Sequence, residues 1–130
     1  MPITGKKKKI KGQIPGTHYS WLVANAQKRH CQVSDALCEL VSWITEEDRL
    51  LPDSLVDYCR SASGSHTYLN FNADERLLRK WERFKRINGI KGDSHAIRVA
   101  VNYCYDLAVI STRKVPTRNG KPIHQKEFKF

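Results

Sequence analysis

Residues His66 to Phe71, HTYLNF, set polar and apolar side chains in strict alternation, the period-2 pattern of a half-buried strand. The run that follows, DERLLRKWERFKRI, switches to helical spacing, with Leu77, Leu78, Trp81, Phe84 and Ile87 on one apolar face. A lone strand leaves its backbone N–H and C=O groups unpaired, so a chain carrying one must supply a second. KKIKGQI, Lys8 to Ile14, closed by Pro15 and Gly16, stands before an earlier helical segment in the same way. Antiparallel pairing of these two segments is expected.

The resemblance between the two regions extends downstream. Ile97, Ala100, Val101, Cys104 and Ala108 follow the spacing of one buried helical face, and Leu37, Leu40, Val41 and Ile44 do the same sixty positions earlier. Superposing Ser34 on Ser94 aligns SDALCELV with SHAIRVAV, and each serine is expected to cap its helix. Before each cap lies another helix: THYSWLVANAQKR, with Leu22 and Ala26 inward, and DERLLRKWERFKRI. The links are HCQV in the first region and the glycine-bearing NGIKGD in the second. Each region therefore reads as strand, helix, turn, helix, and neither has enough core to stand alone.

The totals fit this reading. A chain of 130 residues suits one domain, and its 40% hydrophobic content argues against wholesale disorder. No run approaches the roughly 18 apolar residues of a membrane span. The sequence after the first lysines offers neither a continuous apolar stretch nor a cleavage site, so export is not expected and the location expected is cytoplasmic. Cys31, Cys38, Cys59 and Cys104 lack CxxC spacing and read as reduced thiols, with no metal or cofactor expected. A formal charge of +10 implies a polyanionic partner. That charge is concentrated in KKKKIK, Lys6 to Lys11, and in the tail from Arg113 onward, whereas TEEDRLLPDSLVD between the two regions is acidic.

Strand, helix, glycine turn and a Ser-capped helix reading AIRVAV resemble the ribbon-helix-helix family of DNA-binding proteins, over residues 8–48 and 65–109. Members are normally homodimers that contribute one strand per chain. Both halves lie in one chain here, which is similar to the tandem ribbon-helix-helix proteins, among them accessory proteins of conjugative and T-DNA transfer. The resemblance implies a mostly α fold with a two-stranded antiparallel ribbon, a tandem pseudodimer that needs no second copy. The divisions expected are a basic arm 1–7, one domain 8–110 (repeat one 8–48, helical linker 49–64, repeat two 65–110) and a basic tail 111–130. Within the linker a helix is expected from Pro52 to about Ala62. The second region departs by three extra residues between strand and second helix, and the first by Gly12 where an inward apolar side chain is expected.

If Ile10, Ile14, Leu69 and Phe71 face the core, then Lys9, Lys11, Gln13, His66, Tyr68 and Asn70 face outward. In the family such residues read bases in the major groove, and the resemblance carries that role to these six. Lysine donates to guanine, the amides pair with adenine, and Tyr68 or His66 offers a hydrogen bond and contact with a thymine methyl. Phosphate contacts are expected from Lys6, Lys7 and Lys8, and at the second-helix N-termini from Val33, Ser34, Lys91, Gly92 and Ser94. Asp35 and Asp93 would repel a phosphate and are expected to cap or to face away. Because the two strands differ, the site read should be asymmetric, as in marking one side of a nick; a relaxase or other transfer protein is then the expected partner.

Other classes fit less well. The five histidines are scattered, and HExxH, GxSxG, P-loop and GxGxxG patterns are absent, so no enzyme is expected. A transcriptional repressor, or an antitoxin-type regulator whose tail binds a partner, is the alternative within the family. RNA recognition would need stacking aromatics, and Tyr68 is the one on the ribbon.

Overall fold

Two segments far apart in the chain form a single antiparallel ladder in the computed structural model, which describes residues 7–60 and 66–112. Strand β1 (Lys8–Pro15) pairs with β2 (His66–Ala73) in unbroken register from Lys8 opposite Ala73 to Pro15 opposite His66. Helices α1 (Gly16–Lys28) and α2 (Val33–Ile44) follow β1, a short α3 (Asp53–Tyr58) bridges, and α4 (Glu75–Ile87) and α5 (Asp93–Thr112) follow β2. The molecule is thus mostly helical with one two-stranded antiparallel sheet, as expected. Lys6, residues 61–64 of the linker and nearly all of the 111–130 tail lie outside the described residues.

The apolar stripes read from the sequence make the core. Ile10, Ile14, Leu22, Leu37, Leu40, Val41, Ile44, Phe71, Trp81, Ile97, Ala100, Val101 and Cys104 are completely buried. The strands pack crosswise: β1 lies mainly on α5, and β2 on α2. Trp81 joins three elements, with its ring edge-on to Phe71 at 5.5 Å, stacked on Phe84 at 5.6 Å, and its Nε1 donating to the Asp93 carboxylate at 2.9 Å. Leu78 and Ile87, expected on the inner face of α4, are only half-buried, whereas Lys85 is buried. The thiols of Cys31, Cys38, Cys59 and Cys104 are all free.

Gly12 is where a side chain would not fit. A Cβ there would stand 2.9 Å from Ile97 Cδ1 and 3.0 Å from Ser94 Cα, so the missing apolar residue is what lets α5 reach the strand. The ribbon is not weakened at this point, since the ladder continues through Gly12 opposite Leu69.

The two helix pairs turn by the same device. Cys31 N–H bonds the Ala26 carbonyl and His30 N–H that of Gln27; Ile90 N–H bonds Lys85 and Gly89 N–H bonds Arg86. Both are Schellman turns with a left-handed residue after the cap: Gly89 at φ 66° and, without a glycine to announce it, His30 at φ 56°. The three extra residues of the second region separate into two at the strand–helix junction, where β2 runs on to Ala73, and one in the helix–helix link.

Three boundaries differ from expectation. Helix α2 starts at Val33, with Gln32 at the cap and its N–H bound by Asp35 at 3.3 Å, so Ser34 is a first-turn residue and not the cap. Helix α5 starts at Asp93, which likewise moves Ser94 inside. Helix α3 ends at Tyr58, short of Ala62, because its carbonyls are taken from outside: His95 Nε2 lies 2.7 Å from the Val56 oxygen and Arg98 Nε donates to that of Cys59 at 2.9 Å. Arg60 N–H consequently bonds Asp57 rather than Val56.

Replacing Gly12 by alanine should cost about 1–2 kcal/mol, since Ile97 can rotate away but the Ser94 backbone cannot, and valine should cost more. Urea melts of the two variants would show this order. In contrast, His30→Gly should stabilise by about 0.5–1 kcal/mol, by relieving the left-handed conformation; an unchanged melting midpoint would contradict it.

Candidate nucleic-acid interface

Alternation along the ladder divides the ribbon into two rows. Ile10, Gly12, Ile14, Leu69, Phe71 and Ala73 are buried beneath it. On the outer side Lys9 stands opposite Asn72, Lys11 opposite Asn70, and Gln13 opposite Tyr68. Lys9, Lys11, Gln13, Tyr68 and Asn72 are exposed and Asn70 is half-buried. Five of the six residues expected to face outward are therefore gathered on one surface. The sixth, His66, pairs with Pro15 at the end of the ladder, where it is half-buried and lines a small pocket with Arg98 and Asn102.

Asn72 was missed. The signal was present, since the alternation continues one step past Phe71 to an outward asparagine and an inward alanine. NADERL, however, also reads as the start of a helix, and only the cap position separates the two readings: Asp74 accepts from Leu77 N–H at 2.8 Å, leaving Asn72 in the strand.

Helix α5 holds β1 by its free edge. Ser94 Oγ accepts from Gln13 N–H at 3.1 Å, and Arg98 donates to Ser94 Oγ at 2.9 Å and to the Gln13 carbonyl at 3.4 Å. The edge groups of Gln13 are satisfied, and its side chain stays outward. Arg98 also reaches the Cys59 and Arg60 carbonyls at the end of α3, so one buried guanidinium ties linker, ribbon and α5 together. Its partners are all neutral oxygens, and burial pulls its pKa below the usual arginine value.

The expected phosphate-binding residues fall into separate groups. Lys7 and Lys8 are exposed at the start of β1. Lys91 and Gly92 are exposed in the link before α5. Val33 and Ser34 are half-buried in the first turn of α2. Ser94 is also half-buried, and its hydroxyl is engaged by Gln13 and Arg98, which leaves its backbone as the group able to meet a phosphate. The two acids turn away as expected: Asp35 caps α2, and Asp93 accepts from Trp81 and, at 2.7 Å, from Lys85.

Asp93 and Lys85 illustrate how this end of α5 is fixed. Burial by itself would raise the Asp93 carboxyl, but hydrogen bonds from Lys85 and Trp81 outweigh it and hold the pKa below the ordinary carboxylate value. Burial would likewise lower Lys85, and Asp93 and Glu82 outweigh it and raise the pKa.

No family model, curated protein or solved structure matches the chain.

Both shifts favour the charged pair in the fold, and both fix the sign of its pH dependence. The Asp93 contribution is full above the unfolded carboxylate pKa of about 4 and is lost as pH falls through the lower folded value. The Lys85 contribution is full below about 10.4 and is lost as pH rises through the higher folded value. Asp93→Asn should cost about 1–3 kcal/mol at pH 7 in urea melts, and the deficit should shrink toward pH 3. An equal deficit at both values would show that the charge is not what matters.

Proposed function

We propose that this chain is a single-chain, tandem ribbon-helix-helix protein that inserts its ribbon into the major groove of double-stranded DNA at an asymmetric site. Its biological role in this reading is that of an accessory factor for DNA transfer, marking an origin or border for a relaxase. The observation that supports the reading best is the outer row itself. Lys9, Lys11, Gln13, Tyr68, Asn70 and Asn72 project from a ladder whose other side is buried from Ile10 to Ile14 and from Leu69 to Ala73. A two-stranded ribbon has the width of the major groove, and the side chains are the donors and acceptors that distinguish base pairs there.

The polarity of the row supports an asymmetric target. Lys9 and Asn72 end one side of the ribbon with hydrogen-bonding groups, whereas the other side ends in Pro15 and a half-buried His66. Between Lys9 and Gln13 the strand advances about 13 Å, close to four base-pair rises. Lys7, Lys8, Lys91 and the α5 backbone near Ser94 would hold flanking phosphates. The strand–helix–helix order occurring twice, with the strands of the two halves paired, supports the tandem assignment, and transfer follows from that layout by resemblance.

Selection of bound duplexes from a random pool tests this. A nonpalindromic consensus is expected; Gln13→Ala and Asn72→Ala should relax it at opposite ends by about 1–3 kcal/mol of discrimination each. Lys7→Ala should weaken all duplexes alike. With about six phosphates neutralised, log K should fall against log salt with a slope near −5. Equal affinity for duplex DNA and RNA at matched salt, or no consensus, would sink the reading.

A further inference from the structure

Away from the outer row, α1, α3 and α5 line an open cleft of about 670 Å³, within the volume range of small-ligand sites. Pro52, Leu55 and Leu107 give it apolar walls, and Tyr58 and Tyr103 add aromatic ones. Tyr58 is 77% exposed, an unusual position for a large aromatic side chain. In a chain with a formal charge of +10, the one carboxylate lining this cleft is Asp106, which is exposed and forms no ion pair among the described residues.

His18 provides an independent observation. It lines the same cleft and is 8% exposed, and its Nδ1 is sealed from solvent with no hydrogen-bond partner among the described residues. Its ring is fixed by Tyr105, 4.6 Å away, which Trp21 meets edge-on. A buried ring nitrogen without a partner is costly, and more so once the ring carries a charge. Burial depresses the pKa of His18 and Asp106 only partly opposes this, so the neutral ring is favoured and leaves the Asp106 charge for a ligand to balance.

We propose that this cleft binds a cationic nitrogen carried on an apolar stem, either a free amine or the lysine or arginine side chain of a partner protein. Asp106 supplies the counter-charge, the Tyr58 and Tyr103 rings supply π faces, the neutral His18 ring forms part of the wall, and Leu55 and Leu107 receive the stem. An anion is disfavoured because it would meet Asp106. The site uses none of the exposed outer-row side chains, and the proposal stands or falls independently of DNA binding.

The test uses the full ¹⁵N-labelled chain, titrated with phenethylamine or a short blocked peptide holding one lysine. The neutral counterparts are 2-phenylethanol and the acetyl-lysine peptide. Saturable binding is expected, with shifts at Thr17, His18 and Asn102, at least tenfold weaker binding of the neutral counterparts, and about fivefold weaker binding to Asp106→Asn. Tyr58→Ala, at an exposed position, should weaken binding about threefold without altering the melting temperature. Binding of the amine alone would identify a small-molecule site, and binding of the peptide alone a protein partner. Equal binding of charged and neutral probes, undiminished binding to Asp106→Asn, or shifts located elsewhere would overturn the proposal.

Discussion

The ladder between β1 and β2 is the constraint from which the rest follows. Neither strand has another partner among the described residues, and a two-stranded sheet has two open edges and two faces to account for. One face is closed by Ile10, Ile14, Leu69 and Phe71 against the helices. At Gln13 an edge is closed by Ser94 and Arg98, in a contact close enough to require glycine at position 12. The opposite row, of lysines, amides and a tyrosine, is the face of the ribbon that the helices leave uncovered.

Arg98 shows how the intervening acidic segment becomes part of the structure. A buried guanidinium would normally require a carboxylate, but here it is solvated by four oxygens, two of them carbonyls just past the C-terminal end of α3, where the helix dipole is negative. Asn88 does similar work on the other side, accepting from Leu51 N–H and donating to the Arg49 carbonyl. The segment joining the two halves is thus held by side chains of α5 and of the turn after α4, which explains why its own short helix needs no strong amphipathic pattern.

Much of this architecture was legible in the sequence, because it rests on periodicity. The buried stripes of α2 and α5, the pairing of two chain-distant strands and most of the outer row follow from spacings of 2 and 3.6. What escaped the sequence depends on nonlocal contacts. Gly12 resembles a flaw until α5 is seen against it, and His30 has no signature as a left-handed residue. The end of α3 is set by His95 and Arg98, thirty-nine residues away, and Lys85 occupies a core position because Asp93 waits beneath it. Ser34 and Ser94 have the composition of caps, yet the helices begin one residue before them.

The crosswise packing of strands on helices has a consequence for the order of assembly. During synthesis Ile10 and Ile14 leave the ribosome long before Ile97 and Val101 are made, and α2 waits for β2 in the same way. The core-facing side chains of the first half therefore lack these partners until the second half has been made.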